Sequence, residues 1–282
     1  CPHCDVSLTF HRNGRLKCHY CGFERPMPDR CPVCGSPFLA PFGTGTQKLE
    51  EITKNLFPHA RVLRMDGDTT AKKGAHEEIL QAFYEGEADI LIGTQMIVKG
   101  HDFPRVTLVG VMAADLSLYT PDFKSAERTF ELLTQASGRA GRRALSGDVV
   151  IQTYTPDHFA VSSAAEQDYG QFYRQELLYR QIMKYPPAVG LLSIQLSSRN
   201  ERLLGEAADT VLKEIRKRFF LEGPEVIGPA EQAPYKVNDI YRKILYIKHE
   251  NYDILLQIGK SVLESELLRQ KYRNVSAQYD LM

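Results

Sequence analysis

Six cysteines, Cys1, Cys4, Cys18, Cys21, Cys31 and Cys34, fall in the first 34 of 282 residues as three Cys-x-x-Cys pairs. Each pair is a knuckle that aims two thiolates at one metal ion, and a tetrahedral thiolate site for zinc takes two knuckles. Three knuckles therefore make one complete site and one half-site. Between Cys4 and Cys18, Leu8, Thr9 and Phe10 precede Asn13-Gly14, a hairpin signal that would bring Cys1/Cys4 onto Cys18/Cys21. Cys31/Cys34 would then need a partner pair upstream of residue 1. Pairing Cys18/Cys21 with Cys31/Cys34 instead, which orphans Cys1/Cys4, stays open. Disulfides suit a small secreted module, yet no cysteine occurs after Cys34. His3, His11 and His19 could be ligands, but a full thiolate set leaves them solvated or behind the ligands.

A second set of residues suits phosphate. In Gln135-Ala136-Ser137-Gly138-Arg139-Ala140-Gly141-Arg142-Arg143, two glycines bring backbone close to a ligand and arginines project after them. Guanidinium groups bind phosphate oxygens through bidentate, charge-assisted bonds. Arg142 could stabilise charge that develops during γ-phosphoryl transfer, as an arginine finger does. A solvated basic helix end capped by glycine is the bland alternative. A segment earlier in the chain argues against it. Gly93-Thr94-Gln95-Met96-Ile97-Val98-Lys99-Gly100-His101-Asp102-Phe103 follows the apolar run Ile90-Leu91-Ile92. That run reads as a buried strand, so the polar segment falls at the carboxyl edge of a sheet, where open α/β folds bind ligands.

The elements that must position these residues read as follows. Residues 1–40 form a metal module, rich in turns and prolines and too poor in apolar residues to fold well without its ion. Over 41–157, helices (Thr46–Phe57, Gly74–Tyr84, Ser125–Ser137) alternate with short apolar strands (Arg61–Met65, Asp89–Gly93, Val106–Ala114, Asp148–Tyr154), which argues a parallel sheet. Residues 158–189 read as a connector, with one long aromatic helix over 158–185 stopped at Tyr185-Pro186-Pro187. Residues 190–282 read as a small α+β domain of split β-α-β-β-α-β order. Its strands fall at Leu191–Leu196, Glu225–Ile227, Arg242–Ile247 and Val275–Tyr279, its helices at Glu201–Phe219 and Tyr252–Leu268. The class is α/β. Apolar residues make up 43% and charged residues 25%, enough to bury a core. Thirty-five basic residues balance 35 acidic ones, which excludes a globally basic coat for nucleic acid but not a local groove. No run approaches about 18 apolar residues, so no membrane-spanning helix is expected. The first residues do not read as a signal peptide.

Together, the Gly93–Phe103 and Gln135–Arg142 segments resemble motifs V and VI of the second RecA-like lobe of superfamily 2 helicases. Arg61–Thr70, with Met65-Asp66-Gly67-Asp68-Thr69-Thr70, resembles the motif IV region. Cysteine knuckles just before this lobe, with Phe42-Gly43-Thr44-Gly45-Thr46-Gln47 and Lys124-Ser125-Ala126-Glu127-Arg128, sharpen the likeness to the bacterial primosomal replication-restart helicases, over essentially the whole chain. That resemblance implies an ATP-dependent 3′→5′ DNA helicase that recognises stalled forks and D-loops and starts primosome assembly. It implies a two-zinc module in the intact protein, completed by a knuckle upstream of Cys1, with ATP and Mg2+ held jointly with a first lobe. Arg139, Arg142 and Gln135 match the catalytic motif VI positions facing ATP. Thr94 matches the motif V threonine near a DNA phosphate, and Gln95 and Lys99 are DNA-backbone neighbours. Gly100 and Asp102 match positions that link the DNA track to the nucleotide cleft. Implied partners are single-stranded and branched DNA, single-strand-binding protein, other primosome proteins and replicative helicase-loading factors, with no membrane. The implied location is the cytoplasm, at the replication fork.

The chain has no Gly-x-x-x-x-Gly-Lys-Ser/Thr phosphate loop and no Asp-Glu-x-His sequence, so the chain alone is expected to be inactive. Two other readings stand beside the helicase. A zinc-dependent, non-enzymatic nucleic-acid adaptor explains the knuckles but not the two spaced segments. A RecG-like superfamily 2 translocase explains the segments but not the cysteines. Weaker DNA hints are the basic run over 211–220, which also reads as the solvated face of an amphipathic helix, with Lys236, Arg242 and Lys243, and the aromatics Phe10, His11, Tyr20 and Phe23, which also read as a small core of the metal module.

Overall fold

The computed structural model describes residues 1–11, 14–38, 45–70, 72–97, 103–141 and 147–282, the side chain of residue 267 excepted. The elements begin with β1 (Thr9–Phe10), β2 (Arg15–Lys17), β3 (Glu24–Pro26), α1 (Thr46–Leu56), β4 (Val62–Met65), α2 (Ala75–Glu85) and β5 (Ile90–Gly93). There follow β6 (Leu108–Val111), α3 (Asp115–Leu118), α4 (Ser125–Ser137), β7 (Asp148–Ile151), α5 (Phe159–Glu166) and α6 (Tyr169–Met183). The last are β8 (Gly190–Ser198), α7 (Glu201–Arg218), β9 (Glu225–Val237), β10 (Ile240–His249), α8 (Tyr252–Leu263), α9 (Glu266–Gln270) and β11 (Ser276–Leu281). The chain divides into two compact units, one of Cys1–Pro41 with Leu178–Met282, the other of Phe42–Leu177.

In the first unit, β1, β2 and β3 form an antiparallel meander, with Thr9 opposite Lys17 and Lys17 opposite Glu24. The larger sheet has the order β11-β8-β10-β9, antiparallel throughout, which is the split β-α-β-β-α-β arrangement. Helices α7 and α8 start where Asn200 and Asn251 accept backbone N–H bonds from Leu203 and Asp253. Their apolar faces (Leu204, Val211 and Ile215; Leu255, Ile258 and Val262) cover Leu192, Ile194, Leu196, Leu245 and Ile247, all buried. Each such side chain contributes about 1.5–3 kcal/mol by leaving water, so this layer is the chief core of the unit. Strand β9 is an edge and longer than its sequence suggests. It keeps its pairing with β10 only through two register shifts, and it carries Pro229 and Pro234.

In the second unit the described strands form two parallel pairs, β4–β5 (Val62 opposite Ile90) and β6–β7 (Leu108 opposite Asp148). The single sheet expected from the sequence is therefore not what the described residues build. Strands sandwiched on both faces would be buried throughout, whereas β6 and β7 alternate and leave Leu108 and Val150 exposed. Met65, Leu80 and Phe103 form one small core. Phe130 stacks on Phe172 at 4.1 Å in another, with Leu133, Val161 and Leu118.

Two helices expected to be continuous are broken. The 158–185 helix divides because Gln167 takes φ 56° and Asp168 Oδ1 accepts the Gln171 N–H, opening α6 anew. The 252–268 helix divides at Ser265, whose hydroxyl accepts the Leu268 N–H.

Arg61 closes the start of the β4–β5 pair. Its backbone N–H and the Nε and Nη2 groups of its guanidinium donate to Asp89, at 2.7–3.1 Å. These bonds draw the Asp89 carboxyl down to about 2 from an ordinary value near 4. A depressed acid stabilises the fold above its unfolded value and stops doing so as pH falls through the folded one. The contribution of this pair is thus full above about pH 5 and lost between pH 4 and 2. Asp89→Asn is expected to flatten the pH dependence of thermal unfolding in that window and to leave its slope above pH 6 unchanged.

Candidate functional site

The meander gathers four cysteines. The Sγ atoms of Cys1, Cys4, Cys18 and Cys21 all lie within 4.8 Å of one another, with Cys1 and Cys21 3.5 Å apart. Zinc–sulfur bonds of about 2.3 Å in a tetrahedron place sulfurs roughly 3.8 Å apart, so the set fits a zinc ion. The pairing is the one that the hairpin signal favours, and no histidine joins it. Cys4 and Cys18 are buried and Cys1 and Cys21 half-buried.

The knuckles are built by backbone. Cys18 N–H donates to Phe23 O and Gly22 N–H to Cys18 O, with Gly22 at φ 75°. The same pattern recurs one step on, where Cys31 N–H donates to Ser36 O and Gly35 N–H to Cys31 O, with Gly35 at φ 71°. Cys31 and Cys34 are therefore a formed knuckle that stands outside the four-sulfur group. Backbone N–H groups point at the sulfurs and favour thiolate. Those of Cys21 and Tyr20 help draw Cys18 down to about 7. Those of Cys34 and Val33 lower Cys31. Cys21 moves up: Phe23 N–H favours its thiolate, but burial and the bond to Cys18 outweigh it.

The knuckle of Cys1 and Cys4 also meets the β9–β10 turn. Asp5 N–H donates to Lys236 O at 2.8 Å, Asp239 N–H to His3 O at 2.9 Å, and Asn238 N–H to Cys4 Sγ at 3.3 Å. The His3 Nδ1 lies 2.7 Å from Asp239 Oδ2, and Lys236 Nζ donates to Pro2 O at 2.9 Å. Arg242 donates twice to Pro234 O. Lys236 and Arg242, read from sequence as DNA hints, thus serve the hairpin and its knuckle. Arg216, Lys217 and Arg218 are exposed in the last turn of α7, where cations offset the helix dipole.

In the second unit, Thr94 and Gln95 are exposed just past the carboxyl end of β5, as the sequence led one to expect. Ile97 N–H donates to Thr94 O and tightens this turn. Gly93 is obligatory there, since a Cβ would lie 2.5 Å from Ile97 Cγ2 and 2.7 Å from Met65 O. Gln135 is exposed on the last turn of α4, and Arg139 is half-buried beyond it. Gly141, at φ 68°, donates its N–H to Val106 O. A Cβ on Gly147 would strike the Gly141 backbone, so only glycine fits there. Arg142, Lys99, Gly100 and Asp102 lie outside the described residues.

Two carboxylates organise this unit: Asp66, named in sequence only as part of the motif IV likeness, and Asp115, which the sequence reading missed. Burial would raise Asp66, but the Thr46 hydroxyl, the Thr69 and Asp68 N–H groups and the Arg64 guanidinium hold it low. Asp115 likewise stays low against burial, accepting from Tyr154 N–H and the Thr153 and Thr155 hydroxyls. For Asp66 the available signal was an aspartate at a strand end followed by threonines; the partners of Asp115 are 38–40 residues away and left none.

Comparison with known proteins finds three domain matches along the chain. Residues 1–26 match the PriA DNA helicase Cys-rich region domain, 41–144 the helicase conserved C-terminal domain, and 181–281 the primosomal protein N C-terminal domain. The replication restart protein PriA of Bacillus subtilis is 45% identical over 282 residues, 100% of this chain and 35% of that protein. That of Synechocystis is 43% identical over 257 residues, 89% of this chain and 31% of that protein. That of Chlamydia pneumoniae is 40% identical over 252 residues, 88% of this chain and 33% of that protein. The chain thus spans about a third of the length of the curated relatives it matches. Three domain matches in one order, with identity running through the whole chain, show that it belongs to the PriA family of replication restart proteins.

Proposed function

We propose that this chain is the second-lobe, zinc-module and C-terminal part of an ATP-dependent 3′→5′ DNA helicase that acts at stalled forks and D-loops and starts primosome assembly. Its parts are a zinc module over 1–40, a RecA-like lobe over 41–157, a connector over 158–189 and a DNA- or partner-binding domain over 190–282. The observation that carries the reading is the match of residues 41–144 to a helicase C-terminal domain, a stretch that holds both the exposed Thr94–Gln95 turn at a strand end and the Gln135–Arg139 helix end.

Arg139 and Arg142 hold the nucleotide's terminal phosphates, and Gln135 positions them. Gly100 and Asp102 join that cleft to the DNA track, where Thr94, Gln95 and Lys99 contact the backbone of single-stranded DNA. Loss of the γ-phosphate removes the arginines' anchor, and the Thr94 turn then releases and regrips the strand. Mg2+ accompanies ATP and neutralises its phosphates. Zinc, on Cys1, Cys4, Cys18 and Cys21, cross-links the module and takes no part in hydrolysis; Cys31 and Cys34 give half of a second site. Single-strand-binding protein, other primosome proteins and helicase-loading factors are the partners, in the bacterial cytoplasm.

The test compares DNA-stimulated ATP hydrolysis and fork unwinding by this chain with those of a full-length protein that carries a phosphate-loop lobe. Turnover is expected only in the latter, because this chain has no phosphate loop. Turnover by the 282-residue chain alone, abolished by Arg142→Ala, would overturn the division of labour.

A further inference from the structure

We infer that the Asn238-Asp239 turn of the C-terminal sheet is an outer part of the metal centre, so that zinc binding and docking of the first knuckle form one linked equilibrium. The inference rests on the metal reading of the four cysteines. Asn238 and Asp239 have φ 55° and 59° and join paired residues Val237 and Ile240, a two-residue hairpin loop of the type I′ kind. Such a loop turns the N–H groups of its two central residues away from the ladder, and here each has a partner in the knuckle. Asn238 N–H reaches Cys4 Sγ at 3.3 Å and Asp239 N–H reaches His3 O at 2.9 Å. Lys236 O takes the Asp5 N–H at 2.8 Å, so the knuckle also occupies the end of edge strand β9.

The chemistry gives the coupling its direction. A thiol sulfur is a weak acceptor, whereas a zinc-bound thiolate carries charge and makes the Asn238 bond charge-assisted. Four thiolates around one divalent cation leave a net negative centre. The Asn238 N–H reaches the Cys4 sulfur of this centre, and the Lys236 ammonium, 3.8 Å from Asp239 Oδ1, holds the neighbouring Pro2 O at 2.9 Å. Zinc therefore strengthens docking, and by linkage docking strengthens the hold on zinc to the same degree. Outer partners of metal ligands typically contribute 10–100-fold in affinity.

Hydrogen exchange on the zinc-loaded protein and on the same protein after chelation tests this directly. The amides of Asn238, Asp239 and Asp5 should exchange at least about tenfold faster without zinc, while Ile194 and Leu245 in the core keep their protection. Bound zinc whose removal leaves the three amides unchanged would overturn the inference. Failure to bind zinc would remove the metal reading and this inference with it. In a second arm, Lys236→Ala/Asp239→Ala should yield zinc to a competing chelator about tenfold more readily than the parent. Asn238→Gly, which keeps the N–H and suits the positive φ, should match the parent. Equal retention in the double variant would count against the linkage.

Discussion

Arg142→Ala in the full-length protein is expected to lower DNA-stimulated ATP turnover by about 10³-fold or more, with folding intact. Arginine fingers contribute roughly 10³–10⁵ in rate because a guanidinium meets the charge spread over the transferring phosphoryl oxygens. The described residues that flank it, Gly141 and Gly147, lie close to each other. Gly141 is tied to Val106 O, and Gly147 lies against the Gly141 backbone. Arg142→Lys should not restore the rate, since a point charge cannot reproduce the planar, bidentate fork. Steady-state hydrolysis with saturating single-stranded DNA, alongside thermal unfolding of each variant, makes the measurement. Turnover indifferent to Arg142 would remove the motor assignment and leave the zinc-dependent adaptor as the better account.

Cys18→Ser should strip one equivalent of zinc and unfold residues 1–38 while the C-terminal sheet stays folded. Among the described residues of that segment, only Cys4 and Cys18 are buried. The metal site is thus the core of the module, not an addition to it. Structural zinc sites hold their ion with about 10–16 kcal/mol of apparent free energy near neutral pH, and in such modules that is the folding energy. The C-terminal unit has its own buried layer around Leu192, Ile194, Leu245 and Ile247 and does not depend on zinc in this way. Cys31→Ser, outside the four-sulfur group, should keep the first equivalent. Zinc stoichiometry and amide dispersion over residues 1–38 read both variants. Dispersion retained in Cys18→Ser would show that the module has another source of stability.

Much of this was legible before any coordinates. Knuckle pairing follows from spacing and a hairpin signal, because both are local. The β-α-β-β-α-β order follows from strands and helices of clear period, and the sheet order bears it out. Thr94 was correctly placed at a strand end because an apolar run stops abruptly before it. What escaped was long-range or fine. An Asn-Asp pair between two strands signals a turn, but nothing nearby says that its N–H groups will find Cys4. Asp168 and Ser265 divide helices whose apolar pattern continues across them, since a cap outweighs periodicity at a single position. The carbonyl partners of Lys236 and Arg242 also went unforeseen, because a basic residue on a strand edge does not announce an internal partner.

The docking of Cys4 on Asn238 joins groups 234 positions apart in the chain. At synthesis rates of about 5–20 residues per second, the knuckle emerges from the ribosome roughly 10–50 s before the turn that completes it. Throughout that interval the cysteines are on their own, without the donor that later steadies their charge. Any ion captured in that interval is held without the Asn238 donor, and the centre is complete only once the β9–β10 turn has been made.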